Sequence, residues 1–93
     1  MMTLSANVIA ALQGKTLATA ESCTGGLIGG ALTAVSGSSK VYKGGIVSYT
    51  NEVKHSVLGV KAETLEQYGA VSAPVAQQMA AGVRELLQAD VAV

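Results

Sequence analysis

The sequence predicts an α/β fold, a three-layer sandwich in which a mostly parallel sheet lies between helices. Three observations carry that expectation. Short apolar runs that suit strands, such as Leu17-Ala18-Thr19-Ala20, alternate with segments whose apolar residues recur at helical spacing. Helices separate the strand-like runs, an order that makes neighbouring strands parallel. Leu17-Ala18-Thr19-Ala20 reads as a buried strand, which suits an α/β sheet covered on both faces. In chain order, Leu4, Val8, Ile9 and Leu12 mark a first helix beginning near Ser5, with Gly14 as its C-cap. The first strand follows at Thr16 to Ala20. Leu27 to Val35 reads as the second helix, with a start reaching back to about Thr24. Gly25, Gly26, Gly29 and Gly30 would each weaken that helix by roughly 1 kcal/mol relative to alanine, so close approach of its backbone to a sheet or ligand is expected.

Ser36-Gly37-Ser38-Ser39 reads as a loop, and Gly44-Gly45-Ile46-Val47-Ser48-Tyr49 as a second strand introduced by its glycines. Thr50 or Asn51 caps a short helix running to Leu58 and ended by Gly59. Ala62 to Tyr68 is helical and is closed by Gly69. Ser72 opens the last helix, where Pro74 is tolerated in the first turn and Val75, Met79, Gly82, Val83, Leu86 and Leu87 form the apolar face. Asp90-Val91-Ala92-Val93 resembles a strand just beginning. The expectation is a sheet incomplete at the C-terminus, in a natural domain longer than these residues. It would expose an apolar surface or have it covered by a partner chain, and a second copy (a homo-oligomer) is a candidate.

Composition bounds the function. The 93 residues make one small domain, 49% hydrophobic and 13% charged, too apolar for a disordered chain. Six basic and six acidic residues cancel, leaving no electrostatic footprint for nucleic acid or an anionic membrane surface. With no Trp, no Phe and three Tyr, stacking platforms for single-stranded nucleic acid are missing. One cysteine makes no internal disulfide and points to a reducing, cytoplasmic setting. The apolar run from Leu27 to Val35 is far short of the roughly 20 residues that span a bilayer.

Glu21-Ser22-Cys23-Thr24-Gly25-Gly26 is the segment richest in chemistry. It places a serine on the turn between a strand and a helix, where unpaired backbone N–H groups can hold an anion or a developing oxyanion. Ser22 reads either as a helix N-cap or as a nucleophile with Thr24, Gly25 and Gly26 supplying backbone donors; the double glycine leaves room for a substrate to come close. A nucleophilic serine needs a base. Cys23 with His55 is one alternative pair, set against a small buried cysteine and an exposed histidine. Lys54 is the other base, set against a solvated surface lysine. A lysine works as a base near neutral pH only when its surroundings lower its pKa from about 10.4. Ser22 and Lys54 both follow candidate strands, and the turns after neighbouring parallel strands share the edge where ligands bind.

Glu21-Ser22-Cys23-Thr24-Gly25-Gly26, Gly37-Ser38-Ser39, the run from Gly44 to Lys54, and Gly69-Ala70-Val71-Ser72 together resemble the CinA C-terminal domain family. That family includes stand-alone nicotinamide-nucleotide amidases of the PncC type. The resemblance runs from about Leu4 to Val93, with several motifs in the family's order. It implies hydrolysis of the carboxamide of nicotinamide mononucleotide to nicotinic acid mononucleotide and ammonia, for NAD recycling, by a serine–lysine mechanism without metal or cofactor. Carried onto this sequence, Ser22 is the nucleophile and Lys54 the general base and later proton donor. Tyr49 and Asn51 orient the lysine or contact substrate, and Thr24, Gly25 and Gly26 frame the oxyanion and the nucleotide. Glu21 belongs to the motif without an assigned role. Family members continue past the strand at Asp90 into a glycine-rich loop and further elements. The expectation is therefore an N-terminal portion, residues 1–93, holding the pair without the full pocket. The alternative is a catalytically incompetent fragment, or a nucleotide-binding or structural module of the same fold.

Overall fold

The computed structural model describes residues 3–93. Its sheet has three parallel strands, β1 (Leu17–Glu21), β2 (Tyr42–Val47) and β3 (Val91–Ala92), in the order β2-β1-β3. The helices are α1 (Leu4–Ala11), α2 (Leu27–Thr33), α3 (Asn51–Ser56), α4 (Ala62–Tyr68) and α5 (Ala73–Leu87). Side chains of β1 alternate between two cores. Leu17 joins Ile9, Leu32 and Val41 under α1 and α2, whereas Ala18 joins Leu58, Val60, Val75, Met79 and Val83 under α5. The expected three-layer α/β architecture is what this alternation produces. Among the described residues no helix is long and apolar enough to cross a membrane.

Several boundaries differ from the sequence reading for local reasons. Thr3 caps α1 by accepting the Ala6 N–H at 3.1 Å, and the C-cap is Leu12 rather than Gly14. A 3-10 turn at Ser38–Lys40 occupies the segment read as loop, and α2 stops at Thr33. Strand β2 starts at Tyr42, so Gly44 and Gly45 lie inside it, and Ser48 and Tyr49 lie beyond its end. The reason is close packing. A Cβ on Gly45 would strike Thr19 Oγ1 and come within 2.7 Å of Tyr42 Oη, and a Cβ on Gly29 would meet the same Tyr42 oxygen at 2.7 Å. The Tyr42 hydroxyl thus sits between strand and helix, 2.7 Å from Thr19 Oγ1. On α5, Val75, Met79 and Val83 are buried as expected, but Leu86 is half exposed.

Strand β3 is short but firmly tied. Asp90 Oδ2 accepts the Thr16 N–H at 2.8 Å and the Thr16 hydroxyl at 3.1 Å; further along, Ala20 N–H reaches Val93 O at 2.8 Å. Beside β3 an apolar groove of about 480 Å³ opens between α1, α2 and the sheet, lined by Leu4, Val8, Leu12, Leu27, Ala31 and Val93. Leu4 and Leu27 are largely exposed along it, so the apolar surface expected from the sequence is present.

Candidate active site

The ends of β1 and β2 set the site. Ser22 follows β1 directly, and the Ser48 N–H donates to Glu21 O at 2.7 Å, carrying the sheet one step beyond β2. Thr50 then caps α3, accepting the Val53 N–H at 3.3 Å, so the helix begins at once and turns Lys54 back toward the strand ends. Lys54 is 2% exposed. Its Nζ donates to Ser22 Oγ at 2.9 Å and to Ser48 O at 2.7 Å. The two candidate catalytic side chains therefore meet directly, and the reading of Lys54 as a solvated surface lysine is excluded.

The turn after Ser22 is built by its glycines and by Glu21. Gly25 and Gly26 take φ of +64° and +103°, the left-handed region that glycine enters without strain, and Gly26 is the N-cap of α2. Ser22 is thus not the N-cap. The Gly25 N–H donates to Ser22 O at 3.0 Å, so its expected part as an oxyanion donor is already committed inside the turn. Among the described residues, the N–H groups of Cys23, Thr24 and Gly26 have no acceptor in the chain and remain as candidate donors. The first N–H groups of α2 are not free either. Glu21 Oε1 accepts the Ile28 N–H at 2.8 Å and the Thr24 hydroxyl at 2.7 Å, and Oε2 accepts the Gly29 N–H at 2.9 Å. Burial alone would raise the Glu21 pKa. The Gly29 N–H, the Thr24 hydroxyl, the Ile28 N–H and the Thr19 hydroxyl together outweigh it and hold the carboxyl below its ordinary value.

Tyr49 is 77% exposed and Asn51 is exposed, and neither hydrogen-bonds Lys54, whose acceptors are Ser22 Oγ and Ser48 O. Of the two roles expected of Tyr49 and Asn51, orienting the lysine falls instead to the Ser48 carbonyl, and contact with a substrate is the one that remains. Among the described residues no hydrogen bond joins Cys23 to His55, whose Nδ1 is engaged with Val60 O at 2.7 Å, so the alternative pair is not formed. Cys23 is exposed rather than buried, and with Ser22 and Thr24 it lines a cleft of about 240 Å³. Ala70, Val71, Ala76 and Met79 form the facing wall. Sequence reasoning passed over Ser48 and this wall; the only sign of the wall was the Gly69-Ala70-Val71-Ser72 motif.

Fold and contact together define an α/β domain with a serine–lysine pair at the ends of adjacent parallel strands. The family model described as CinA C-terminal domain matches residues 2–93, and the chain belongs to that family. A CinA-like protein of Acaryochloris marina is 63% identical over 75 residues, which make 81% of this chain and 18% of that protein. Another, from a Synechococcus strain, is 53% identical over 90 residues, covering 95% of this chain and 22% of that protein. Among solved structures, the competence/damage inducible protein CihA from Agrobacterium tumefaciens superposes with a TM-score of 0.92 at 48% identity, over 96% of this chain and 55% of that one. The competence damage-inducible protein A (ComA) from Klebsiella pneumoniae gives a TM-score of 0.92 at 44% identity, over 96% and 56%. The chain thus spans about a fifth of the length of those two CinA-like relatives and a little over half of those solved chains.

Proposed function

We propose that this domain supplies the serine–lysine pair of an amidohydrolase whose substrate is the carboxamide of nicotinamide mononucleotide. The observation that carries the reading is the 2.9 Å contact between Lys54 Nζ and Ser22 Oγ, buried on the lysine side and open to a cleft on the serine side. In this mechanism the neutral Lys54 amine takes the Ser22 proton as Oγ attacks the carboxamide carbon. The oxyanion that forms is met by the backbone N–H groups left open in the turn, those of Cys23, Thr24 and Gly26. The protonated lysine, held by Ser48 O, gives its proton to the departing nitrogen, and ammonia leaves an acyl ester on Ser22. Water then attacks the ester with Lys54 again as base, releasing the carboxylate and restoring the serine. The substrate class rests on the family resemblance, and the serine–lysine chemistry rests also on the contact.

The test uses the full-length protein that carries this chain and follows ammonia release from nicotinamide mononucleotide. Ser22→Ala and Lys54→Met each reduce turnover by about a thousandfold or more, because the two groups act as a unit. Cys23→Ser keeps most of the activity. An inactive Cys23→Ser beside an active Ser22→Ala would overturn the mechanism, and no ammonia from the wild type would overturn the substrate.

A further inference from the structure

We propose that Glu21 is the positioning residue of the Ser22–Lys54 pair, fixing the serine's turn with its carboxylate and the lysine's acceptor with its backbone carbonyl; this rests on the serine–lysine reading above. Glu21 lines the base of the cleft but is only 4% exposed, and both of its carboxylate oxygens are taken by donors of the chain, so it acts through the residues it holds. Four donors converge on its two carboxylate oxygens. The Thr24 hydroxyl and the Ile28 N–H meet Oε1; the Gly29 N–H meets Oε2, with the Thr19 hydroxyl at 3.4 Å behind it. These contacts clamp both ends of the turn that starts at Ser22, one at Thr24 and the other on the first N–H groups of α2.

The same residue reaches the lysine by its main chain. Glu21 O accepts the Ser48 N–H at 2.7 Å and the Ser48 hydroxyl at 3.3 Å, and the next oxygen along, Ser48 O, accepts from Lys54 Nζ. Nucleophile and base are therefore both referenced to one residue, the first through its side chain and the second through its main-chain carbonyl. The arrangement also explains why a carboxylate is needed. Every side-chain partner is a donor, and a glutamine of equal shape has one acceptor oxygen and one NH₂ group. In either orientation its NH₂ faces a backbone N–H that cannot turn away, at Ile28 or at Gly29. The helix start then shifts, and Ser22 Oγ moves with it relative to Lys54.

The experiment measures kcat and KM for nicotinamide mononucleotide with the full-length protein, per folded molecule as judged by circular dichroism. Glu21→Gln lowers kcat on the order of tenfold to a hundredfold, the range that small misplacements of reacting groups produce, with KM within about twofold of wild type. Glu21→Asp is the second variant, and it decides the matter should Glu21→Gln fail to fold. It keeps the charge and the acceptors but withdraws them by one methylene, so kcat falls by a smaller factor at unchanged KM. A role in stability alone would reduce the folded fraction and leave kcat per folded molecule unchanged, and that result in a folded variant overturns the proposal. Ser22→Ala separates the two levels of failure. If it is inactive while the Glu21 variants run at wild-type kcat, the pair stands and the positioning role falls; if it is active, both fall.

Discussion

A lysine amine is among the groups least often enclosed by protein, and Lys54 is enclosed with two neutral oxygens as its partners among the described residues, Ser22 Oγ and Ser48 O. Glu21 is the second charge-bearing side chain held inside, and its surroundings give stability a pH dependence. Its carboxyl lies below its ordinary 4.5, so the folded state binds that proton more weakly than the unfolded state does. The contribution is complete above pH 4.5 and is lost as pH falls through the lower folded value. Asp90, held low by the Thr16 N–H and hydroxyl, adds a slope of the same sign. Comparing wild type with Glu21→Gln isolates the Glu21 part: denaturation free energy followed from pH 6 to pH 3 falls less steeply in the variant. A variant curve parallel to wild type would contradict the clamp. The contact between Ser22 and Lys54 was legible in the sequence because each follows a strand signal by a few residues and the CinA resemblance singled out the pair. Ser48 was not, because its part is played by a main-chain carbonyl that any residue type carries. Glu21 was visible only as a motif letter, since its partners are N–H groups whose arrangement exists only after the turn has formed.

Among the elements, α4 was readable to the residue and α5 nearly so, because Gly69 and Ser72 are strong local signals. Strand β2 was misplaced by two residues because its glycines look like punctuation, whereas Gly45 answers to Thr19 of β1 and to Tyr42 of its own strand. The glycines of the helices divide in the same way, and substitution tells them apart. A Cβ on Gly82 of α5 would strike the Leu58 carbonyl oxygen, so Gly82→Ala destabilises by about 1–3 kcal/mol through overpacking. A Cβ on Gly30 of α2 meets nothing within 4 Å, and Gly30→Ala stabilises by about 1 kcal/mol through helix propensity. Urea denaturation of the two variants checks both, and equal effects at the two sites would refute the packing account. The sequence reading treated the α2 glycines alike, because propensity alone does not register what lies opposite each one.

For the molecule as a whole, the alternation of helices and strands made the layered architecture legible, while the order of strands depended on which edges meet. Strand β1 is central, yet its neighbours come from very different distances along the chain: β2 about two dozen residues later, and β3 across the separation of 74 residues between Thr16 and Asp90. That asymmetry sets a sequence in time. The β1–β2 edge closes a short loop and forms early, whereas the other edge waits until the stretch from Thr16 to Asp90 has been gathered. Amide protection followed by NMR during refolding reads this directly. The Ala20 N–H, bound to Val93 O, gains protection after the Ser48 N–H, bound to Glu21 O, and the reverse order would contradict it. The serine and lysine both hang on the early edge. Their encounter is therefore complete while the β1–β3 edge is still assembling.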